Sequence, residues 1–296
     1  MRGRALSTET TPEFKTDAIG KWGEPVSFEV ERERIQAYAA ATNDTIAAHV
    51  AGDVAPPVFA IVPTFQAMGQ ASLGVIPGEL LGMILHGEQD FHFQKPIEPG
   101  MTLATRAKAI GLRPRSSGVT VSVLGETRDS TTEELLVSQY MTSFVRGASG
   151  PEALGDEAPK HGFDDSLRER DPDATVDQTF DADQTLRYSE ASGDPMPIHL
   201  DDDFAKKMGL PGIIIHVLCT MAFTSVATIE HACPDDPTRL KRLAVRFAKI
   251  VLPEQTITTR IWDAGETETE GTTGYAYETT ADSGEVIIKD GWAEVA

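Results

Sequence analysis

The chain has 296 residues, with 26 Lys and Arg against 46 Asp and Glu, a formal net charge of -20, 40% hydrophobic residues and 24% charged ones. A chain of this length buries a core without disulfides or metals, and its proportions are those of a globular protein. So acidic a balance excludes nucleic acid, which needs a basic stripe, and no run approaches the roughly 20 apolar residues of a membrane span. Cys219 and Cys233 are the only cysteines. Their number and spacing exclude a zinc site and leave them as small buried hydrophobes.

Residues 1–20 read as an N-terminal extension without the apolar region of a secretory signal. The C-terminal Ala-Glu-Val-Ala carries no peroxisomal address, so a cytoplasmic location is expected. An amphipathic helix is predicted over about Arg32–Ala41, followed by a loop and a longer apolar helix over about Val58–Leu73. Pro63 lies inside that helix and predicts a distortion, because proline removes a backbone hydrogen bond. Alternating β-branched runs at Val119–Leu124 and Leu136–Val145 predict strands. Residues 148–177, rich in Gly, Pro, Asp and Glu, read as an exposed linker. Beyond it come a helix over about Asp183–Ala191, an apolar helix over about Ile213–Glu230, and strands at Thr256–Trp262 and Glu285–Lys289.

The order of elements repeats because the sequence does. Tyr38-Ala-Ala-Ala-Thr-Asn-Asp44 and Ala55-Pro-Pro-Val-Phe-Ala-Ile-Val62 are echoed by Tyr188-Ser-Glu-Ala-Ser-Gly-Asp194 and Leu210-Pro-Gly-Ile-Ile-Ile-His216. Phe93-Gln-Lys95 is echoed by Phe247-Ala-Lys249. Two copies, residues 21–147 and 178–296, are therefore expected, each a helix followed by antiparallel strands, an α+β fold. Two stretches hold basic residues and no acid: Arg106, Lys108, Arg113 and Arg115 between Leu103 and Leu124, and Arg239, Lys241, Arg242, Arg246 and Lys249 between Arg239 and Pro253. In so acidic a chain they are candidate docking places for a phosphate-bearing group.

The densest cluster of reactive residues is Ser192-Gly-Asp-Pro-Met-Pro-Ile-His199, with His216 following. Its prolines restrict the backbone between Asp194 and His199, the fixity that an acid/base pair needs. This cluster, with Gly209-Leu-Pro-Gly-Ile-Ile-Ile-His216, Leu85-His-Gly-Glu-Gln89 and Arg246-Phe-Ala-Lys249, resembles the MaoC-like (R)-specific 2-enoyl-CoA hydratases, or hydratase 2. The second copy carries the motif, as in the hydratase domain of peroxisomal multifunctional enzyme type 2.

The resemblance implies a double hot dog fold, each long helix wrapped by an antiparallel sheet. It implies reversible hydration of trans-2-enoyl-CoA to (R)-3-hydroxyacyl-CoA, with Asp194 and His199 as catalytic residues and the backbone N–H of Val217 facing the thioester oxygen. Substrate contacts fall on His86, Gly87, Arg115, Pro195, Met196, Pro197, Ile198 and Phe247. No metal and no separate cofactor are implied, coenzyme A being part of the substrate, and a homodimer is a candidate assembly. Three positions depart from the family pattern: Arg115 stands where Lys is usual, Met196 where Asn is usual, and Val217 where Gly is usual. His216 reads as packing at a helix start, and Asp44 with His49 as a remnant of duplication. A hot dog thioesterase and a catalytically decayed acyl-CoA-binding or partner subunit remain as alternatives.

Overall fold

The computed structural model describes residues 12–296, so most of the predicted extension lies outside the described residues. The first copy runs β1 (Val26–Glu29), α1 (Arg32–Ala41), α2 (Ala47–Val50), α3 (Phe65–Leu73), β2 (Ile84–Phe93), β3 (Thr102–Arg115), β4 (Gly118–Asp129) and β5 (Leu135–Arg146). A short strand β6 (Leu154–Gly155) precedes the second copy. That copy runs β7 (Ala174–Thr179), α4 (Gln184–Ser192), α5 (Asp202–Lys207), α6 (Val217–Ala232), β8 (Leu240–Phe247), β9 (Thr256–Glu266), β10 (Thr273–Ala281) and β11 (Val286–Val295).

One sheet contains all these strands in the order β1-β3-β4-β5-β2-β8-β11-β10-β9-β7, with β6 paired to β3. The halves share one internal order, so the duplication is one of topology as well as sequence. They meet where β2 and β8 pair antiparallel, with Glu88 opposite Arg246 and His92 opposite Arg242. Each half wraps its own long helix, the double hot dog.

What holds the helices in place is apolar burial. From Leu218 to Ile229 every residue of α6 is buried, and a helix apolar all round is stable only inside a protein. Its buried hydroxyls are satisfied locally: Ser225 Oγ donates to the Ala222 carbonyl at 2.7 Å and Thr228 Oγ1 to the Thr224 carbonyl at 2.8 Å. In the first copy Leu103, Ala107, Leu112, Val119, Val121 and Val123 close over Met68 of α3 in one core.

The helix expected over Val58–Leu73 is broken where Pro63 falls. A 3-10 segment covers Pro57–Ile61, and α3 starts only at Phe65. Buried polar side chains take up the freed backbone groups. Thr105 Oγ1 donates to the Pro63 carbonyl at 2.8 Å, Thr64 Oγ1 to Ala60 at 2.9 Å, and Gln139 Nε2 to Ala60 at 2.9 Å and to Thr64 Oγ1 at 2.7 Å.

Two stretches without apolar periodicity are nevertheless held down. Phe14 is buried, and the Lys15 N–H donates to the Val75 carbonyl at 2.9 Å, so the part of the extension that is described packs on the first copy. Within residues 148–177, β6 lies on β3, and β7 begins at Ala174, inside the range read as linker. Backbone hydrogen bonds, which leave no periodic signature in side chains, do the anchoring. Among the described residues no helix is long and apolar enough to cross a membrane.

Gln139→Leu, which keeps the volume but removes the donors at the Pro63 break, is expected to cost about 1–3 kcal/mol. Urea unfolding measures this. A variant within about 0.5 kcal/mol of the parent, the usual scatter for a neutral substitution, would show that the break needs no side-chain support.

Candidate active site

Asp194 owes its position to the residue before it. Gly193 ends α4 with φ +77°, in the left-handed region that glycine enters without penalty, and turns the chain sharply. One carboxylate oxygen, Oδ1, then accepts the Met196 N–H at 3.1 Å, and the Asp194 carbonyl accepts Ser189 Oγ at 2.7 Å. Met196 and Pro197 lead into a 3-10 turn over Pro197–His199, which delivers the His199 ring. His199 Nδ1 donates to the Ile214 carbonyl at 2.7 Å. A carbonyl only accepts, so the proton sits on Nδ1, and in the neutral ring Nε2 keeps its lone pair.

The third member of the cluster is His216, the residue before α6. Its Nε2 donates to the Asp194 carbonyl at 3.2 Å, and its ring stacks on His199 with centroids 3.6 Å apart and an interplanar angle of 22°. Burial pushes His216 down to about 3, with help from neighbouring His199, so it is neutral near pH 7. Its Nδ1 is buried with no partner. Burial also pushes Asp194 up, against the attraction of His199 and the Met196 N–H. It pushes His199 down, against the Ile214 carbonyl and Asp194.

One side-chain ligand atom from each of Asp194, His199 and His216 lies within 4.8 Å of the others. A carboxylate oxygen and a ring nitrogen this close can share a single water at hydrogen-bond distance from both. The same trio could be read as a metal site, but the stacking argues otherwise. A metal lies about 2.0–2.1 Å from a histidine nitrogen, in the plane of the ring. Two rings 3.6 Å apart and 22° from parallel cannot both direct their planes at one ion so close.

The corresponding groups of the first copy are arranged otherwise. His49 Nδ1 donates straight to Asp44 Oδ2 at 2.7 Å, and Oδ1 accepts the Ile46 N–H at 2.8 Å. Both side chains are buried, and the carboxylate is spent on its own histidine. By the echo of the two copies, Ile61 stands where His216 does, and Val62 where Val217 does. The Val62 N–H is already bonded to the Phe59 carbonyl at 2.8 Å. Val217, as the first residue of the 16-residue α6, has no intrahelical acceptor for its N–H and lies at the positive end of the helix dipole.

The other sequence candidates separate into two groups. His86 and Phe247 come together across the β2–β8 seam, ring centroids 5.1 Å apart and edge to face. Burial pushes His86 down to about 4, while its Nε2 meets Gln89 Oε1 at 3.1 Å. Gly87 sits at the register shift between β2 and β5, where a Cβ would stand 3.1 Å from the Thr142 carbonyl. The Ile215 N–H donates to the Val251 carbonyl at 2.8 Å, tying the residues before α6 to the segment after Phe247. Pro195, Met196, Pro197 and Ile198 form the span between the dyad residues, and the Met196 side chain is exposed. Its N–H, which a change of side chain spares, is the group that orients Asp194.

Arg115 is the outlier. It caps the β3–β4 hairpin, at the same end of the sheet as His86 but three strand spacings away, about 14 Å. There it pairs with Glu157 at 2.5 Å. The two basic stretches free of acid in sequence are not free of it in space. Arg106 meets Glu126, Arg113 meets Glu157, Arg242 meets Asp90, Arg246 meets Glu88 and Lys249 meets Glu285, at 2.8 to 3.8 Å. Pairing between strands brings in acids that local sequence cannot show. His216, read from sequence as packing at a helix start, stands at that start before α6, where its ring packs on that of His199.

Fold and cluster together define a double hot dog protein with a half-buried carboxylate and a buried imidazole beside a helix N-terminus. Comparison with known proteins agrees. Residues 165–284 match the MaoC like domain, and residues 52–147 match the MFE-2 hydratase 2 N-terminal domain. The chain is 31% identical over 217 residues to a probable enoyl-CoA hydratase 2 of Dictyostelium discoideum, covering 71% of this chain and 73% of that protein. It is 29% identical over 290 residues to 3-hydroxyacyl-thioester dehydratase Y of Mycobacterium tuberculosis, covering 91% of this chain and 97% of that one. The crystal structure of a MaoC-like dehydratase from Phytophthora capsici superposes with a TM-score of 0.78 over 92% of this chain and 96% of that chain, at 24% identity, a likeness of fold. This chain belongs to the MaoC-like family.

With the Asp44 carboxylate consumed and the Val62 N–H bonded, the first copy is expected to be inert. The double variant Asp44→Asn, His49→Gln should leave turnover of an enoyl thioester within about threefold of the parent, against the 10²–10⁴-fold loss typical of a removed acid/base group. Turnover is compared at equal folded fraction, checked by circular dichroism. A loss as large as that from Asp194→Asn would establish two working sites.

Proposed function

We propose that this protein is an (R)-specific enoyl-CoA hydratase that adds water to a trans-2-enoyl-CoA and catalyses the reverse dehydration. One observation carries the proposal. His199 Nδ1 is committed to the Ile214 carbonyl and Asp194 Oδ1 to the Met196 N–H, while a ring nitrogen of His199 and a carboxylate oxygen of Asp194 lie within 4.8 Å of each other. The names of the relatives, an enoyl-CoA hydratase 2 and a 3-hydroxyacyl-thioester dehydratase, support the same reading.

In this mechanism Asp194 and His199 hold the water and take one of its protons as its oxygen bonds to C3 of the enoyl thioester. The C2–C3 π pair moves through the carbonyl, leaving an enolate oxygen opposite the Val217 N–H, where the helix dipole favours negative charge. The proton taken from the water then passes to C2, the carbonyl re-forms, and the pair returns to its starting state. Nothing else is consumed, so no cofactor is called for. His86 and Phe247 would flank the thioester arm across the β2–β8 seam. Arg115 could meet the phosphates of coenzyme A only by releasing Glu157.

The deciding assay follows the absorbance of an enoyl-CoA and free thiol together. Absorbance loss without thiol is the expected result; thiol release would identify a thioesterase, and neither signal a binding subunit. Asp194→Asn should lower kcat about 10²–10⁴-fold, and near-normal turnover would refute the assignment.

The pH profile offers a second measure. The working state pairs an ionised Asp194 with a neutral His199. Burial raises the first and lowers the second, so the acid limb of kcat/KM, set by whichever group protonates first, should fall above the ordinary carboxylate value of about 3.9. A midpoint at or below the ordinary carboxylate value would contradict the burial argument. Finally, Glu157→Gln frees Arg115 and should lower KM for acyl-CoA by up to about fivefold, the value of an exposed ion pair, without changing kcat; an unchanged KM would remove Arg115 from the docking surface.

A further inference from the structure

We propose that His216 is the positioning residue of this site, locking Asp194, His199 and the Val217 N–H into one rigid unit. The inference rests on the hydratase reading and extends it to a residue that touches no reacting atom.

Two contacts made by one side chain and its place in the chain carry it. Its Nε2–H holds the Asp194 carbonyl at 3.2 Å, beside the Ser189 hydroxyl. Its ring face lies 3.6 Å from that of His199, which limits the imidazole to one plane. His216 is also the residue immediately before Val217, so the backbone that presents the oxyanion N–H is the backbone that carries the stacked ring. Moving any one of these groups moves the other two.

The ring is itself backed. Tyr188 lies against it with centroids 4.8 Å apart, and Tyr188 meets Tyr38 of the first copy through their hydroxyls at 3.2 Å. Tyr38 and Tyr188 are both buried. His216 therefore cannot tilt without displacing a buried pair that spans the two halves. Its unpartnered Nδ1 fits a positioning role, since a residue selected for packing alone would carry no buried polar atom at a cost. A phenylalanine or leucine would fill the space and leave nothing unsatisfied.

Two variants separate positioning from packing. His216→Phe keeps the flat ring and loses the donor to Asp194; His216→Asn keeps a polar group and loses the stack. For the first, kcat should fall about 10²-fold, the cost of a misplacement of about an ångström, with KM for enoyl-CoA within about threefold and the acid limb where it was. For the second, water reaches the face of His199, its desolvation is relieved, and the acid limb should move up toward the ordinary histidine range. A His216→Phe enzyme with parental kcat would overturn the proposal. So would a His216→Asn enzyme that loses stability while keeping the parental pH profile.

A readout independent of turnover is the titration of His199 by NMR on histidine-labelled protein. In the parent its midpoint should lie below the ordinary value and move up toward it in His216→Asn. An unchanged midpoint overturns the positioning role even where no enoyl-CoA is turned over, so failure here is distinct from failure of the hydratase assignment.

Discussion

The hydrogen bond from His199 Nδ1 to the Ile214 carbonyl decides what the rest of the site can do. Both copies place an aspartate five residues before a histidine, after a helix ended by a residue of positive φ, Asn43 at +50° in one and Gly193 at +77° in the other. In the first copy the histidine turns its Nδ1 on the aspartate, and the two polar groups satisfy each other. In the second, a backbone carbonyl outcompetes the carboxylate for that proton. The carboxylate is thereby not spent on its own histidine, and the two side chains stay within 4.8 Å of each other. Ile214 can play this part because its own segment is fixed: the Ile214 N–H bonds the Ile198 carbonyl at 3.2 Å and the Ile215 N–H the Val251 carbonyl at 2.8 Å.

Burial supplies the chemistry and also makes it costly. The environment that raises Asp194 and lowers His199 brings both toward their neutral forms, which narrows the gap a proton must cross between them. The cost is met by backbone groups rather than by countercharges. Asp194 is held by the Met196 N–H, and His199 by a carbonyl. A cation beside Asp194 would have lowered it and spoiled the match. Charged pairs lie elsewhere: Arg242 with Asp90 and Glu294 along the seam, Arg187 with Asp181 and Asp183 at the start of α4.

Much of this could be read in the sequence because it is written locally. α1 at Arg32–Ala41 and α4 at Gln184–Ser192 fall where amphipathic spacing put them, and the break at Pro63 follows from one missing N–H. The duplication was legible because both copies kept their tyrosine and aspartate. What stayed hidden depends on pairing between distant residues. Arg115 read as a free cation because Glu157 is 42 residues away in sequence. The extension read as loose because Lys15 is held through its backbone N–H, which has no letter of its own. His216 read as packing because only the folded chain shows its ring on that of His199. The family resemblance pointed to Asp194 and His199 together, but the tautomer of His199 is visible only through Ile214.

The same contacts give a reason for the first copy to persist once its own pair is closed. Gln184 Nε2 donates to the Ala41 carbonyl at 2.6 Å, Arg187 reaches the Ala40 carbonyl at 2.8 Å and Asn43 Oδ1 at 3.0 Å, and Thr45 Oγ1 donates to Glu230 on α6 at 2.6 Å. All four bonds run from the end of α1 and the loop after it to α4 or α6, the two helices on which Asp194 and Val217 depend. Closing Asp44 onto His49 makes that loop rigid, since a buried carboxylate satisfied within its own turn has no reason to move. An open, water-holding pair there would leave the same loop with a polar cavity behind it. On the proposed reading, in which the second copy alone turns over substrate, the first copy serves as a buttress for a site built on the same topology.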